Sequence, residues 1–318
     1  MPLIKKILII DTVNPCLKEE LEKEGFVCGD GTALSKQEIE KVIHEYTGII
    51  IRSRIFIDNS FIDKAIKLEF IGRAGSGMDG IDVSYAEKKG IKCFNSPEGN
   101  RDALGEHALG MLLALMNNML RADRQVREGK WMRDENRGEE IKGKTIGIIG
   151  YGNMGGAFAQ RLKGFETNII AYDKYKNNYS DEYVTEVSLE EIFERTDILS
   201  LHVPLAEETH YMVNENFIQK FKNNFWLINT SRGPVVKTDD LVKYLKNEKI
   251  KGCVLDVIEY EETSFEMLNS KTLPEPWKYL TTSYRVILTP HIAGWTKESK
   301  IKLAKILAEK IINSYKIK

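Results

Sequence analysis

Several features that would place this 318-residue chain in other classes of protein are missing from it. It has four cysteines and no C-x-x-C pair, which excludes a disulfide framework and a zinc knuckle and favours free thiols in a reducing cytoplasm. The 46 basic and 47 acidic residues almost cancel, and no basic block is present that would attract nucleic acid. The longest apolar stretch of helical type, Ala108 to Met116, is far too short to span a membrane. What remains is a globular protein of ordinary composition, with two domains as the prior from its length and with no metal site expected.

Strand and helix patterns alternate along the chain, first over about a hundred residues and again from Thr145 onward. Short apolar runs such as Lys6 to Ile10, Gly48 to Arg52 and Phe225 to Asn229 are bounded by turn residues and predict buried strands. Amphipathic segments lie between them. This alternation predicts an α/β protein with parallel sheets covered by helices on both faces.

Three local signals predict where helices begin or extend. Ser35, followed three residues later by Glu38, is typical of a capping box. Thr296 is the expected N-cap of a last helix that runs from about Lys297 to Ile312. The residues from about Asp102 to Lys130 repeat apolar side chains at helical spacing, so we expect one long helix there.

A glycine-rich loop follows the predicted strand Thr145 to Ile149 and has the pattern G-x-G-x-x-G, with glycines at 150, 152 and 155. Gly150 allows a tight turn, Gly152 allows the backbone to approach a pyrophosphate, and Gly155 allows the following helix to pack closely on the strand. The free N–H groups at the start of that helix then bind the phosphates. Because Asp173 ends the next strand about twenty residues later, the whole unit predicts a dinucleotide site.

The identity of the dinucleotide depends on Asp173 and its neighbours. A carboxylate at this position accepts hydrogen bonds from the adenosine ribose and repels a 2′-phosphate, which favours NAD over NADP. Lys174 and Lys176 leave a second interpretation open, because either could neutralise that phosphate. Surface solvation of both lysines is the interpretation that we prefer.

Three charged segments follow later predicted strands and would meet at one edge of the sheet. Arg232, in N-T-S-R-G-P, has the planar fork that binds a carboxylate, although its position alone also suits a surface side chain. His291, in T-P-H-I-A-G-W, has the acid–base chemistry needed to exchange a proton with an alcohol. The third segment contains the carboxylates that could orient His291, namely Asp256, Glu259, Glu261 and Glu262. A separate histidine, His202 in L-H-V-P-L, fits either the core or a position beside the cofactor.

In the first hundred residues, Arg52, Arg54 and Arg73 lie at or near predicted strand ends. Such a cluster could bind a phosphate group on the substrate, and it could equally solvate the rim of the protein. The phosphate interpretation favours 3-phosphoglycerate over unphosphorylated acids.

Taken together, these segments resemble the D-isomer-specific 2-hydroxyacid dehydrogenases, most closely the phosphoglycerate dehydrogenase and hydroxypyruvate/glyoxylate reductase branches. The resemblance runs from about Arg52 to Trp295 and is carried by I-G-R-A-G-S-G-M-D-G-I-D, N-S-P-E-G-N-R-D-A-L-G-E-H-A, the glycine loop, N-T-S-R-G-P-V, L-D-V-I-E-Y-E and T-P-H-I-A-G-W. It implies a hydride transfer between nicotinamide and C2 of a small 2-hydroxy acid. Departures from the family pattern include Glu262, where the family usually has proline.

The resemblance also implies the site residues. Arg232 would bind the substrate carboxylate and carbonyl, Glu261 would pair with the histidine, and His291 would be the acid–base group. Besides the three glycines, the residues implied to bind NAD are Asn153, Met154, Asp173, Thr230, Ser231, Asp256 and the segment from His291 to Gly294. Arg52, Arg73 and the backbone amides around Ser76 and Gly77 would bind the substrate.

The implied architecture is two doubly wound parallel-sheet domains. A discontinuous, flavodoxin-like substrate domain would comprise residues 1–101 and 291–318, and a Rossmann NAD domain would comprise residues 102–290. The resemblance places the active site in the cleft between them and implies a homodimer formed through the cofactor domain, for which the apolar helix from Leu104 to Leu120 is the candidate surface.

Two alternatives accompany the predicted dehydrogenase. The family includes transcriptional corepressors, so an NAD-sensing binding protein is the competing class, although the sequence has no added peptide-binding arm. Formate oxidation is a second enzymatic alternative, but that branch relies on additional residues that are absent here.

Overall fold

The computed structural model of the chain describes residues 5–261 and 273–316. These residues divide into two compact units, the first comprising 5–100 and 295–316 and the second comprising 101–261 and 273–294. Residues 291–294, which the sequence placed with the first domain, group with the second unit because hydrogen bonds tie this segment to Asp256. The division by function into a substrate domain and a cofactor domain stays a prediction.

In the described part of the first unit, five parallel strands form one sheet in the order β2-β1-β3-β4-β5. The strands are β1 (Lys6–Ile9), β2 (Val27–Asp30), β3 (Gly48–Ile51), β4 (Phe70–Arg73) and β5 (Lys92–Asn95). The helices of this unit are α1 (Cys16–Lys23), α2 (Lys36–Val42), α3 (Asn59–Lys64), α4 (Val83–Lys88) and α12 (Lys297–Lys316). Both faces of the sheet are buried. Ile7 and Ile9 pack on the α12 side, and Leu8 and Ile10 pack on the other.

In the described part of the second unit, seven parallel strands follow the order β12-β11-β10-β9-β6-β7-β8. The strands are β6 (Thr145–Ile149), β7 (Asn168–Tyr172), β8 (Thr185–Glu186), β9 (Ile198–Leu201), β10 (Phe225–Asn229), β11 (Ile250–Leu255) and β12 (Val286–Leu288). The helices are α5 (Arg101–Met116), α6 (Met119–Arg127), α7 (Asn153–Arg161), α8 (Leu189–Arg195), α9 (Glu215–Gln219), α10 (Thr238–Lys246) and α11 (Glu275–Thr282). Because chain order reverses at β6, the carboxyl ends of β6 and β9 form the switch point where open α/β sheets bind ligands. The expected α/β class with two doubly wound parallel sheets is confirmed.

The long helix expected from Asp102 to Lys130 is wrong. The chain breaks into α5 and α6 at Asn118, whose backbone is left-handed with φ of 53°. Asparagine tolerates this conformation better than most residues, and the Asn118 side-chain amide donates to the Arg137 carbonyl at 3.2 Å. The apolar periodicity continued across the break, so the pattern alone did not reveal it.

The predicted helix starts are observed. Ser35 and Glu38 form a reciprocal capping box at α2. Thr296 Oγ1 accepts from the Ser299 backbone N–H at 3.0 Å at the start of α12, which extends to Lys316. Among the described helices, none has both the length and the apolar character needed to cross a membrane.

Candidate active site

The glycine loop between β6 and α7 has the geometry that dinucleotide binding requires. Gly150 has φ of 93°, and a Cβ there would lie 2.5 Å from the carbonyl oxygen of His202. A Cβ at Gly155 would lie 2.2 Å from the Gly150 carbonyl, whereas a Cβ at Gly152 would meet no atom within 4 Å. The first and third glycines are therefore required by packing, and the second leaves open space above the loop.

The start of α7 adds an anion-binding surface next to that space. Gly152 is the N-cap, and it provides no side-chain acceptor for the first N–H groups of the helix. Asn153 and Met154, which were predicted to contact NAD, are the first two residues of this helix. Exposed N–H groups together with the positive end of the helix dipole favour a bound pyrophosphate. The loop thus fits the phosphates of a dinucleotide.

Asp173 follows β7 and organises the loop that would hold the adenosine end. Its carboxylate accepts from the backbone N–H of Tyr151 at 2.9 Å, Tyr175 at 3.0 Å and Lys176 at 3.2 Å. The Lys176 ammonium donates to the Tyr151 carbonyl at 2.8 Å. The carboxylate is therefore held beside the glycine loop, where the sequence prediction places the ribose.

The catalytic candidates His291 and Glu261 are in contact. His291 Nδ1 lies 2.8 Å from Glu261 Oε2, and the Glu261 carboxylate also accepts the Ile258 backbone N–H. The neighbouring Glu259 is engaged elsewhere, with the Tyr211 hydroxyl and with the Thr238 N–H at 3.0 Å. Of the other candidate carboxylates, Glu262 lies outside the described residues. The geometry thus pairs Glu261, and not Glu259, with the histidine.

The backbone of the histidine loop is strained and is held by Asp256. His291 has φ of 54°, an unfavourable conformation for a residue with a Cβ. Asp256 is 1% exposed, and its carboxylate accepts from the Thr289 hydroxyl at 2.6 Å and from the N–H groups of Ile292 and Ala293, both at 2.8 Å. This anchoring of the His291 loop, which ends at Gly294, is a function of Asp256 that the sequence did not reveal.

His107 adds a second group to this anchor. Its Nε2 lies 3.1 Å from Thr289 Oγ1 and 3.6 Å from Asp256 Oδ1. His107 lies on α5, and these contacts put that helix directly against the loop of the proposed acid–base group. Only the tertiary fold brings residues 107, 256 and 289 together.

The backbone of the Arg232 loop is held by contacts that sequence reasoning also missed. Asn229, 1% exposed, donates through its side-chain amide to the Arg232 carbonyl at 3.0 Å, and its amide oxygen accepts from Ser231 Oγ at 2.7 Å. A Cβ at Gly233 would lie 1.9 Å from the carbonyl oxygen of Ile258, so this glycine allows the Arg232 loop to pack against the Glu261 loop. The two loops support one another at the carboxyl edge of the sheet.

Two buried polar atoms near the same edge have no hydrogen-bond partner among the described residues. They are the hydroxyl oxygen of Thr230, which follows β10, and Nδ1 of His202, which follows β9. Buried polar atoms are normally satisfied, so an unpartnered one marks a place for a ligand or a water molecule. The Thr230 hydroxyl thus fits the predicted cofactor contact, while Ser231 uses its own hydroxyl on Asn229.

In the first unit, the segment after β4 presents backbone amides. Asn95 donates to the Ser76 carbonyl at 2.6 Å, and the Ser76 hydroxyl bonds to the Asn100 side chain. No acceptor for the backbone N–H of Ser76 or Gly77 lies among the described residues. The turn is held from its carbonyl side, and its amides remain available for an anion.

The three arginines of this unit have different surroundings. Arg54 donates to the carbonyls of Gly31 at 3.0 Å and Leu34 at 2.6 Å, which makes it a structural residue. Arg52 and Arg73 line one surface pocket together with Asp79. The guanidinium carbon of Arg52 lies 4.5 Å from the centroid of a Trp295 ring. Of the three arginines considered as a phosphate site, Arg52 and Arg73 therefore remain candidates and Arg54 does not.

Similarity to characterised proteins is extensive. The chain is 33% identical over 313 residues to the D-3-phosphoglycerate dehydrogenase of Archaeoglobus fulgidus, a match that covers 98% of this chain and 57% of that relative, so this chain spans little more than half of that relative's length. It is 35% identical over 294 residues to the hydroxypyruvate reductase of Thermotoga maritima, covering 92% and 91% of the two chains. Its fold matches the D-lactate dehydrogenase of Aquifex aeolicus, solved with NAD and lactic acid, with a TM-score of 0.83, 27% identity and coverage of 98% and 96%.

The family model of the D-isomer specific 2-hydroxyacid dehydrogenase NAD-binding domain matches residues 109–293 of the chain. The matched stretch is more than half of the 318 residues and contains the glycine loop, Arg232, Glu261 and His291. This chain therefore belongs to the D-isomer specific 2-hydroxyacid dehydrogenase family, and its residues 109–293 are the NAD-binding domain of that family.

Proposed function

We propose that this protein is an NAD-dependent dehydrogenase that transfers a hydride between nicotinamide and C2 of a small 2-hydroxy acid. The observation that carries the proposal is the 2.8 Å contact between His291 Nδ1 and Glu261 Oε2 in a loop anchored by Asp256. A histidine with a carboxylate partner is suited to take a proton and to be stabilised in its charged form.

In the proposed reaction, His291 and Arg232 have separate roles. Nicotinamide, when bound, supplies the hydride acceptor for oxidation and the hydride donor for reduction. In oxidation, His291 takes the proton of the substrate hydroxyl at Nε2, because Nδ1 is bonded to Glu261. The electrons of the O–H bond form the carbonyl as the C2–H bond breaks. Arg232 binds the substrate carboxylate and stabilises the negative charge that develops on the C2 oxygen.

Opposite pH dependence of the two directions tests this assignment. Oxidation needs neutral His291 and reduction needs its imidazolium, so kcat/KM should rise with pH for the hydroxy acid and fall with pH for the keto acid. A panel of 2-keto acids with NADH, followed by NADH absorbance, identifies the substrate on which to measure it. NADH binding without turnover on any member of the panel would favour the NAD-sensing protein instead.

We also propose that the substrate is phosphorylated, as D-3-phosphoglycerate is. Arg52 and Arg73 line one pocket of the first unit, and two guanidinium groups can bind a phosphate dianion despite the single carboxylate of Asp79. In the same unit, we propose that the amides of Ser76 and Gly77 bind the substrate carboxylate. Hydroxypyruvate or glyoxylate is the alternative substrate.

A comparison of substrates separates these two proposals. Phosphohydroxypyruvate should have a higher kcat/KM than glyoxylate, and Arg52→Gln should raise its KM while leaving that of glyoxylate unchanged. Arg52→Lys, which keeps the charge but loses the fork, is the matched control and should be intermediate. A kcat/KM for glyoxylate equal to or above that for phosphohydroxypyruvate would mean that the arginines are not a phosphate site.

We propose a homodimer as the assembly, formed through the NAD-binding domain. Within the expected surface from Leu104 to Leu120, the side chains of Leu104 and Leu112 are buried, whereas those of Met119 and Leu120 are exposed. The exposed apolar side chains continue beyond it at Val126, Trp131 and Met132. Light scattering should give twice the chain mass, and Leu120→Glu should give the monomer mass.

A further inference from the structure

A contact between two loops lies beside the cofactor site and has no part in the chemistry proposed above. In the sheet, β7 and β9 pair with β6 on its two sides. The loops after β7 and β9 therefore rise on either side of the glycine loop, at the edge where a dinucleotide binds. Any side chain that joins these two loops is a neighbour of the adenosine end.

Glu208, in the loop after β9, makes this connection. One of its carboxylate oxygens pairs with the Lys174 ammonium, and the other accepts from the Tyr175 hydroxyl. The same contacts raise the pKa of Lys174 and lower the pKa of Glu208. Lys174 and Tyr175 are the first and second residues after Asp173, so Glu208 binds the polar side chains next to the proposed ribose site.

The charges around Asp173 decide what that site accepts. A 2′-phosphate bound there would meet the carboxylate of Asp173. Of the two nearby cations, Lys176 donates to the Tyr151 carbonyl at 2.8 Å and Lys174 is paired with Glu208. While Lys176 and Lys174 keep these contacts, neither ammonium is placed to pair with a 2′-phosphate.

We propose that Glu208 is a specificity-determining residue that favours NAD over NADP by holding Lys174 and Tyr175 away from the ribose 2′ position. The inference rests on the cofactor orientation in which Asp173 faces the ribose, and it does not depend on which acid is the substrate. Asp173 supplies the main repulsion, and Glu208 removes the cation that would offset it. The Lys174 side chain is 58% exposed and that of Glu208 is 35% exposed, so the pair is weak and a severalfold effect is expected.

The test measures binding and needs no turnover. Dissociation constants for NADH and NADPH are obtained by fluorescence for wild type, Glu208→Gln, Lys174→Met and the double variant. Glu208→Gln should tighten NADPH binding roughly fivefold and leave NADH within about twofold, because an exposed ion pair is weak and only the NADPH complex gains from the released ammonium. The double variant should lose the gain, since it lacks the released ammonium.

Thermal stabilisation by adenosine 2′,5′-bisphosphate and by AMP gives a second readout and should follow the same order. An unchanged NADPH-to-NADH ratio in Glu208→Gln would overturn the proposal, as would a gain that survives in the double variant. Asp173→Ala separates failure of the underlying orientation from failure of the inference. If Asp173→Ala leaves the ratio unchanged, the ribose does not lie at Asp173, and the inference falls with the orientation.

Discussion

The loops after β12 and β9 each place a histidine at the carboxyl edge of the same sheet, yet the two histidines are held in different ways. His291 contacts the carboxylate of Glu261, and a buried aspartate anchors its loop. His202 lies 2.8 Å from the Ser200 hydroxyl through Nε2, and its Nδ1 is buried with no partner among the described residues. Burial lowers the pKa of His202 to about 3. A carboxylate partner therefore suits His291 to the proposed proton exchange, while burial keeps His202 neutral within the fold.

The largest expected effect comes from removing the paired histidine. His291→Ala should lower kcat/KM roughly 10²–10⁴-fold, because the hydroxyl proton loses its acceptor. NADH binding should remain within a few fold, since the glycine loop is untouched. Steady-state kinetics and NADH titration measure the two quantities. Turnover near that of wild type would mean that His291 is not the acid–base group.

The second-largest effect is expected from Asp256→Asn, which tests whether Asp256 holds the strained backbone of the His291 loop. In Asp256→Asn, one carboxylate oxygen becomes an NH₂ group that faces a backbone N–H of Ile292 or Ala293. An unsatisfied buried group costs about 1–3 kcal/mol of stability, and a small displacement of His291 could lower kcat up to roughly 10²-fold.

Thr289→Val is the matched control for Asp256→Asn, because it removes only one donor to the same carboxylate. It should have the smaller effect on kcat. If Asp256 acts by anchoring the loop, NADH affinity should stay close to wild type in Asp256→Asn. A large rise in the dissociation constant of NADH with unchanged kcat would instead support the direct cofactor contact that the sequence implied.

The loops at the carboxyl edge of the second sheet show which features of the site a sequence can predict and which it cannot. The strand Thr145–Ile149 and the glycines after it were predicted at their observed positions, because apolar runs and turn residues are local signals. The residues around the L-D-V segment left four carboxylates open, and the family resemblance implied Glu261, which the structure places against His291. Nothing local reveals that Asp256 anchors residues more than thirty positions later. Such contacts arise only when the sheet brings distant loops to one edge.

The third effect concerns His202 and is expected in the pH dependence of the free energy of unfolding. An unfolded histidine binds a proton below about pH 6.5, whereas folded His202, with its pKa lowered to about 3, does not. The unfolded state therefore gains protons as pH falls, and the contribution of His202 to stability is lost from about pH 6.5 down to about pH 3.

Between pH 6.5 and pH 5 the loss should be about 2 kcal/mol, at 1.36 kcal/mol for each pH unit. His202→Gln cannot titrate and should lack this part of the pH dependence, whatever its stability at neutral pH. Urea unfolding of both proteins at the two pH values measures the difference between their slopes. Equal slopes would show that His202 is protonated equally in the folded and unfolded states.

The smallest effect is expected just beyond the His291 loop, where the chain enters the first unit. Trp295 is 50% exposed, and its ring lies 4.5 Å from the Arg52 guanidinium carbon and 4.7 Å from the Lys300 ammonium. An exposed cation–π contact contributes about 0.5–1 kcal/mol, so it can hold Arg52 in one position without being needed for folding. Trp295→Leu should therefore raise KM for phosphohydroxypyruvate roughly two- to fivefold at unchanged kcat and leave glyoxylate unaffected. Trp295→Phe should restore part of the difference, and Lys300→Met is the control, because it removes the other cation and keeps Arg52 on the ring. An equal rise in KM for both substrates would show that Trp295 does not act through Arg52.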